Sequence, residues 1–266
     1  MREMKEQKNK LTRWISWGGA GVFFIVSLLQ LEIVPEKILN SFSRTQNLLN
    51  NMLPPVLDEP INILGAAVES LQIAVLGTVW GIVFSIILAF FAAKNMAPHI
   101  SISYAIKGFA AFVRAVPALI WALLFIIAVG LGPTPGILAL AVNSIGMLVK
   151  VYAESIEEID NGVIEAIKST GGTRFQVIMQ GVIPMIMSIF ISWSVFRFDI
   201  NLRYAAVLGV VGAGGIGWEL VRASRMIAYD EMLSITIVMF LMVLGAEYFT
   251  RFLKQRAELA TMKASK

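Results

Sequence analysis

Apolar residues in this chain come in long unbroken runs, and the runs set its organisation. Trp14–Leu31 is uncharged over eighteen residues, Ser70–Ala93 over 24, Ala115–Val149 over 35 and Phe175–Phe196 over 22. A helix needs about 20 apolar residues to cross ~30 Å of hydrocarbon, so these runs are membrane spans. The 35-residue run is too long for one, and Gly130-Leu-Gly-Pro-Thr-Pro-Gly136 divides it into two helices joined by a tight turn. A last span covers Glu231–Thr250, with Glu247 placed to pair with Arg251 four residues on. The pattern predicts an all-α membrane protein of about six transmembrane helices. Pro184 is expected to bend its span, and Gly77 with Gly81 gives a GxxxG spacing suited to close helix packing.

The polar intervals divide the chain further. Residues 1–13 form a tail, 14–34 the first membrane helix, and 35–69 a mixed segment broken by Pro54, Pro55 and Pro60. Residues 70–250 make the transmembrane core, with a basic, acid-free loop over 94–114, and 251–266 form a second tail. The first apolar run exceeds the ~7–15-residue core of a secretory signal and lacks a small-residue cleavage site, so it reads as an uncleaved helix. Composition agrees: 57% of residues are hydrophobic and 15% charged, against about 25% charged in soluble proteins. With the N-terminus inside, sixteen of the 22 Lys and Arg residues fall on the inner side. The positive-inside rule then places both termini in the cytoplasm. Tyr204–Trp218 is uncharged for only fifteen residues, and is expected to be re-entrant or packed within the bundle.

One inter-span stretch, Glu154–Pro184, is patterned like folded structure. Ile156, Ile159, Val163 and Ile167 fall on one helical face, while Glu157, Glu158, Asp160 and Lys168 point elsewhere. Asp160-Asn161-Gly162 signals a turn, Gly171-Gly172 can end a short helix, and Thr173 with Gln176 reads as a capping box. The stretch therefore predicts a short helix, a tight turn and a long helix just outside the apolar slab, on the cytoplasmic side.

Chemistry is sparse. There are no cysteines and one histidine, His99, so thiolate and histidine centres are excluded. No Walker A, GxSxG, HExxH or EF-hand pattern occurs, and no catalytic, cofactor or metal site is expected in this chain. Gly212, Gly214 and Gly217, with Gly215 between them, spell G-x-G-x-x-G, followed by Asp230 and Glu231. Only 34 residues separate the flanking spans, too few for a dinucleotide-binding half-domain, so the glycines read as a bend at membrane depth. Residues 197–230 are expected to be irregular. Arg197, Asp199, Asn201 and Arg203 precede the glycines, and Arg222 and Arg225 follow. These outer arginines run against the charge trend and read either as anchors with an Arg–Asp pair or as a lining for an anion.

Glu165-Ala166-Ile167, Gly171 and Pro184 match, at correct spacing, the cytoplasmic EAA loop that the stretch resembles in ABC-importer permeases. The family pattern is E-A-A, three residues, G, nine residues, I, one residue, L-P. Here Ile167 replaces the third alanine, Gly181 the isoleucine and Ile183 the leucine. Arg197 to Gly217, together with Gly130-Leu-Gly-Pro133, is similar to the phosphonate and phosphite permeases, over about residues 65–250. The resemblance implies a type I permease fold in the bacterial inner membrane. It implies a homodimer with two cytoplasmic ATPase subunits, which would use ATP and Mg, and an extracytoplasmic binding protein. Glu165, Ala166, Ile167, Lys168, Gly171 and Gly172 would form the coupling loop. Arg197, Asp199, Asn201, Arg203, Gly212, Gly214, Gly215 and Gly217 would line the substrate path or gate. Related permeases for methionine share this gate type, and a self-sufficient secondary transporter is the reading from another class.

Overall fold

The computed structural model describes residues 2–31, 35–57 and 59–264, and every regular element among them is helical. The chain divides into two compact units, Met1–Pro54 and Pro55–Lys266. The first holds α1 (Arg2–Gln30) and α2 (Pro35–Met52). The apolar described part of α1 is Ser16–Gln30, shorter than a full span. Its large side chains, among them Trp17, Phe23 and Phe24, are exposed.

The second unit carries α3 (Pro60–Ala92), α4 (Ile100–Ala115), α5 (Ala118–Val129), α6 (Pro133–Glu157) and α7 (Asn161–Ser169). It continues through the single turn α8 (Arg174–Gln176) and a π-helical stretch (Val177–Val182) into α9 (Ile183–Leu208). α10 (Ile216–Arg225) and α11 (Tyr229–Ala264) complete it. Four described helical stretches are long and apolar enough to cross a membrane, and the bent pair α4–α5 makes a fifth. The expected sixth is the run in α1.

Helix α3 shows how the bundle is held. Its buried face carries Ala66, Ser70, Ala74, Gly77, Thr78, Gly81, Ser85 and Ala89, while Val75, Val79, Trp80, Val83, Phe84 and Ile87 face outward. This is the arrangement expected in lipid, where large apolar side chains gain nothing by turning inward and small residues let backbones approach. A Cβ on Gly77 would lie 2.6 Å from Leu140 Cβ, and one on Gly81 lies against Ser144 Cβ. The GxxxG spacing is therefore the α3–α6 seam. Gly146 plays the same part towards α4, with the Arg114 backbone nitrogen 3.0 Å from its would-be Cβ.

Several expectations are corrected. α3 begins at Pro60, ten residues before the uncharged run, so Glu69 lies inside the helix. Residues 100–115 are helix, not basic loop, and meet α5 at 90°. Here Pro117 is the N-cap of α5, and Val116 before it is extended, because proline disfavours helical geometry in its predecessor. The break near Pro184 takes the form of the π-helical stretch before it, a local widening of the helix just ahead of the residue that cannot donate. Residues 197–208 are regular helix, and only 209–215 depart from it before α10.

Candidate functional site

The EAA-like stretch folds as its local signals require. Asp160 caps α7, its carboxylate accepting from the Gly162 backbone N–H at 2.9 Å. At the other end Gly171 N–H donates to the Lys168 carbonyl and Gly172 N–H to the Ile167 carbonyl. With Gly171 at φ +82° this is a Schellman ending, open to glycine because a side chain is strained there. The Thr173–Gln176 capping box then starts α8, with both reciprocal bonds formed.

Packing reassigns the apolar face. Ile156, Ile159 and Ile164 are buried in one cluster with Tyr152, Val177, Val182, Ile186 and Phe190, and Ile167 packs against it. The isoleucines therefore seat α7 on the chain's own α6 and α9. Ile164, absent from the predicted face, does part of this work. What α7 leaves free is Glu165, Ala166, Lys168, Ser169 and Thr170. Gly172 is half-buried, and a Cβ on it would come within 2.7 Å of the Ile167 carbonyl oxygen.

Two of the three departures from the family pattern, Ile167 and Gly181, touch each other. A Cβ on Gly181 would lie 2.7 Å from Ile167 Cδ1. The larger residue at the alanine position fills space vacated at the isoleucine position, a volume-conserving exchange.

The neighbouring corner is tied by polar contacts that the sequence did not announce. Glu157 accepts from Lys107 Nζ at 2.7 Å and from the Lys94 backbone N–H at 2.6 Å. The Asn95 amide donates to the Ile156 carbonyl at 2.8 Å. The ends of α3 and α6 and the middle of α4 are thus fastened beside α7.

The second group of expected site residues splits in two. Arg197 and Asn201, one turn apart on α9, are buried. Arg197 Nε donates to Ser144 Oγ at 2.9 Å and Nη2 to Asn143 Oδ1 at 2.5 Å, with Nη1 3.6 Å from Met147 Sδ. Asn201 Nδ2 donates to Thr78 Oγ1 at 2.8 Å and to Ser144 Oγ at 2.9 Å. This six-residue network joins α3, α6 and α9 with no carboxylate in it. The expected Arg–Asp pair exists elsewhere: Asp199 pairs with exposed Arg203 at 3.0 Å, on another face of α9. Arg222 bridges Glu219 and the buried Glu231, each at 2.6 Å, locking α10 to α11.

The glycine run is a hinge of close backbone approaches. Gly212, Gly214 and Gly215 have φ of +100°, +76° and +73°. A Cβ on Gly217 would run into the Ala206 carbonyl oxygen. Gly132 N–H donates to the Gly212 carbonyl at 3.0 Å, so the two glycine turns singled out in the sequence meet. The N-terminus of α10 is filled from α3: Glu69 Oε2 accepts from Gly215 N–H at 3.2 Å and Ser70 Oγ from Ile216 N–H at 2.8 Å. A carboxylate already holds the position a nucleotide phosphate would need, and helix rather than strand leads into the run. That geometry removes the dinucleotide alternative.

With these features in view, residues 81–258 match the family described as binding-protein-dependent transport system inner membrane component. The chain belongs to this family. It is 43% identical over 223 residues to the "Phosphate-import permease protein PhnE" of Mycolicibacterium smegmatis, covering 84% of this chain and 42% of that protein. The chain thus spans about two fifths of that relative's length. It is 33% identical over 246 residues to the "Phosphite transport system permease protein PtxC" of Stutzerimonas stutzeri, covering 91% of this chain and 90% of that one. Among solved structures it resembles the membrane subunit of the inward-facing MetNI methionine ABC transporter, with a TM-score of 0.63 at 17% identity over 76% of this chain and 99% of that chain. The last likeness establishes an ABC-importer permease fold. The protein is a multi-pass inner-membrane component, and its family consists of transport subunits rather than enzymes.

Proposed function

We propose that the chain is the permease subunit of an ATP-driven importer for phosphorus oxyanions of the phosphonate, phosphite or phosphate class. It works as a homodimer with two cytoplasmic ATPase subunits, which hold ATP and Mg, and an extracytoplasmic binding protein. Both termini and α7 face the cytoplasm, in keeping with the charge count. The observation that carries the reading is the construction of α7: one face locked to α6 and α9, the other presenting Glu165, Ala166, Lys168, Ser169 and Thr170. A short helix built this way suits a groove on a partner.

Mechanically, closure of the ATPases displaces α7, and the shared cluster around Tyr152 and Phe190 passes that displacement to α6 and α9. Both helices end at the glycine hinge, α9 directly and α6 through Gly132. The far end of the bundle, with Gly212, Gly214, Gly215 and Gly217, then opens or closes. The substrate class rests on the relatives that carry phosphate and phosphite in their names, and on Arg197, Asp199, Asn201 and Arg203 along α9. A guanidinium held by neutral partners is suited to exchange one of them for an oxyanion.

The test uses Gly171→Pro and Glu165→Lys in the reconstituted transporter. Proline fixes φ near −65°, incompatible with the left-handed value at Gly171. Both variants are expected to insert and bind the ATPase weakly or unproductively, abolishing phosphite uptake. Uptake at the wild-type rate with equal protein in the membrane refutes the coupling role of α7.

A further inference from the structure

Four charges that neither the coupling helix nor the glycine hinge uses gather in one cleft. Lys107, Ala111 and Arg114 of α4 face Gly146, Lys150 and Glu154 of α6 across a cavity of about 220 Å³. Gly146 lets α4 approach closely at one end of it. Within it Lys107 is satisfied by Glu157 at 2.7 Å. Lys150 sits 3.6 Å from Glu154, both half-exposed, a loose i,i+4 pair. Arg114 is exposed and makes no ion pair among the described residues.

Depth gives these charges meaning. Gly146 is eleven residues before Glu157, the last residue of α6, so at 1.5 Å per residue Arg114 packs about 16 Å above the helix end. The uncharged run of α6 ends at Lys150, one turn beyond Gly146, so Arg114 stands only about 6 Å inside that end of the run. An arginine just inside the end of an apolar run turns to water, a headgroup or an anion rather than to lipid chains. The stripe continues. Asn143, Met147, Lys150 and Glu154 follow one another along α6 at helical spacing, and Asn143 and Met147 are the residues that touch the guanidinium of Arg197. A line of cations therefore runs from Lys107 through Arg114 and Lys150 to the interior arginine, and only two carboxylates border it.

We infer that the α4–α6 cleft is a binding site for a phosphate-type oxyanion, held by Arg114 and Lys150, on the cytoplasmic side of Arg197. The inference rests on the importer reading only for its orientation and for the free anion as occupant. The headgroup of an anionic phospholipid offers the same chemistry. Arg114 supplies the planar donor fork, and Lys150 a point charge that can leave Glu154 for the anion.

The absence of cysteine from the native chain makes the test direct. Ala111→Cys places a single thiol in the cleft, and Glu154→Cys is the second reporter should the first fail to assemble. The complete transporter, in nanodiscs of zwitterionic lipid, is treated with water-soluble anionic and cationic methanethiosulfonates. The anionic reagent is expected to react about tenfold faster, as focusing by a cationic cleft requires. Millimolar phosphite slows it, and adding Arg114→Gln removes both the preference and the protection. Protection by phosphatidylglycerol in the disc, with none by phosphite, supports the site and assigns its occupant as lipid. Failure of both reagents to label either cysteine, or a preference unchanged by Arg114→Gln, overturns the inference. Uptake of phosphite by wild-type proteoliposomes is measured beside it. Its absence removes the importer reading while leaving the labelling result to judge the cleft.

Discussion

The contact between Ile167 and Gly181 makes a quantitative claim about how α7 is seated. Ile167→Ala removes three carbons from a half-buried side chain, which at ~0.8 kcal/mol per buried CH₂ loosens the helix by about 1–1.5 kcal/mol. Gly181→Ala alone forces a Cβ to within 2.7 Å of Ile167 Cδ1, and overpacking of this kind costs ~1 kcal/mol or more. In the double variant the clashing carbon is gone and alanine partly refills the space. The double variant should therefore be more stable than the sum of the singles by about 1–2 kcal/mol. Hydrogen exchange of the 161–170 amides in the assembled transporter reads this directly, since each ~1.4 kcal/mol of local opening is tenfold in protection. Additivity to within ~0.5 kcal/mol would falsify the volume exchange and leave the two substitutions as unrelated accidents.

Two further outcomes follow from close contacts elsewhere. Gly217→Ala drives a Cβ into the Ala206 carbonyl oxygen, part of a helix backbone that cannot readily yield. A loss of more than about 3 kcal/mol is expected, read as a lowered unfolding temperature in detergent, and an unchanged value would mean that the hinge is not packed as described. Arg222→Ala strands Glu231, whose side chain is 8% exposed, and should cost ~3–5 kcal/mol. Replacing both by methionine should cost much less, and equal losses in the two variants would show that the carboxylate is not the source.

The local parts of this protein were legible because their causes are local. The capping box at Thr173, the glycine ending at Gly171 and the break opening at Gly130 between α5 and α6 depend on a few neighbouring residues, and they stand where the sequence placed them. The EAA-like spacing was visible for the same reason. The α4 segment was not, because two cations, Lys107 and Arg114, in an otherwise apolar stretch raise the basic count of a loop and of a helix equally. The face of α7 was misjudged in part: isoleucine periodicity announces that something covers a helix, not whether the cover is a partner or the chain itself.

Composition and run length alone determined that this chain lives in a bilayer and is helical throughout, because unpaired backbone is too costly in hydrocarbon to leave another choice. Which side of each span faces inward was decided by tertiary structure. In lipid there is no hydrophobic reward for turning a side chain inward, so the spans carry little amphipathic signature. Only the assembled bundle shows Arg197 lying on Asn143 and Ser144, and Glu69 capping a helix 146 residues away in sequence. Only the bundle brings Arg114 and Lys150 to opposite walls of one cleft.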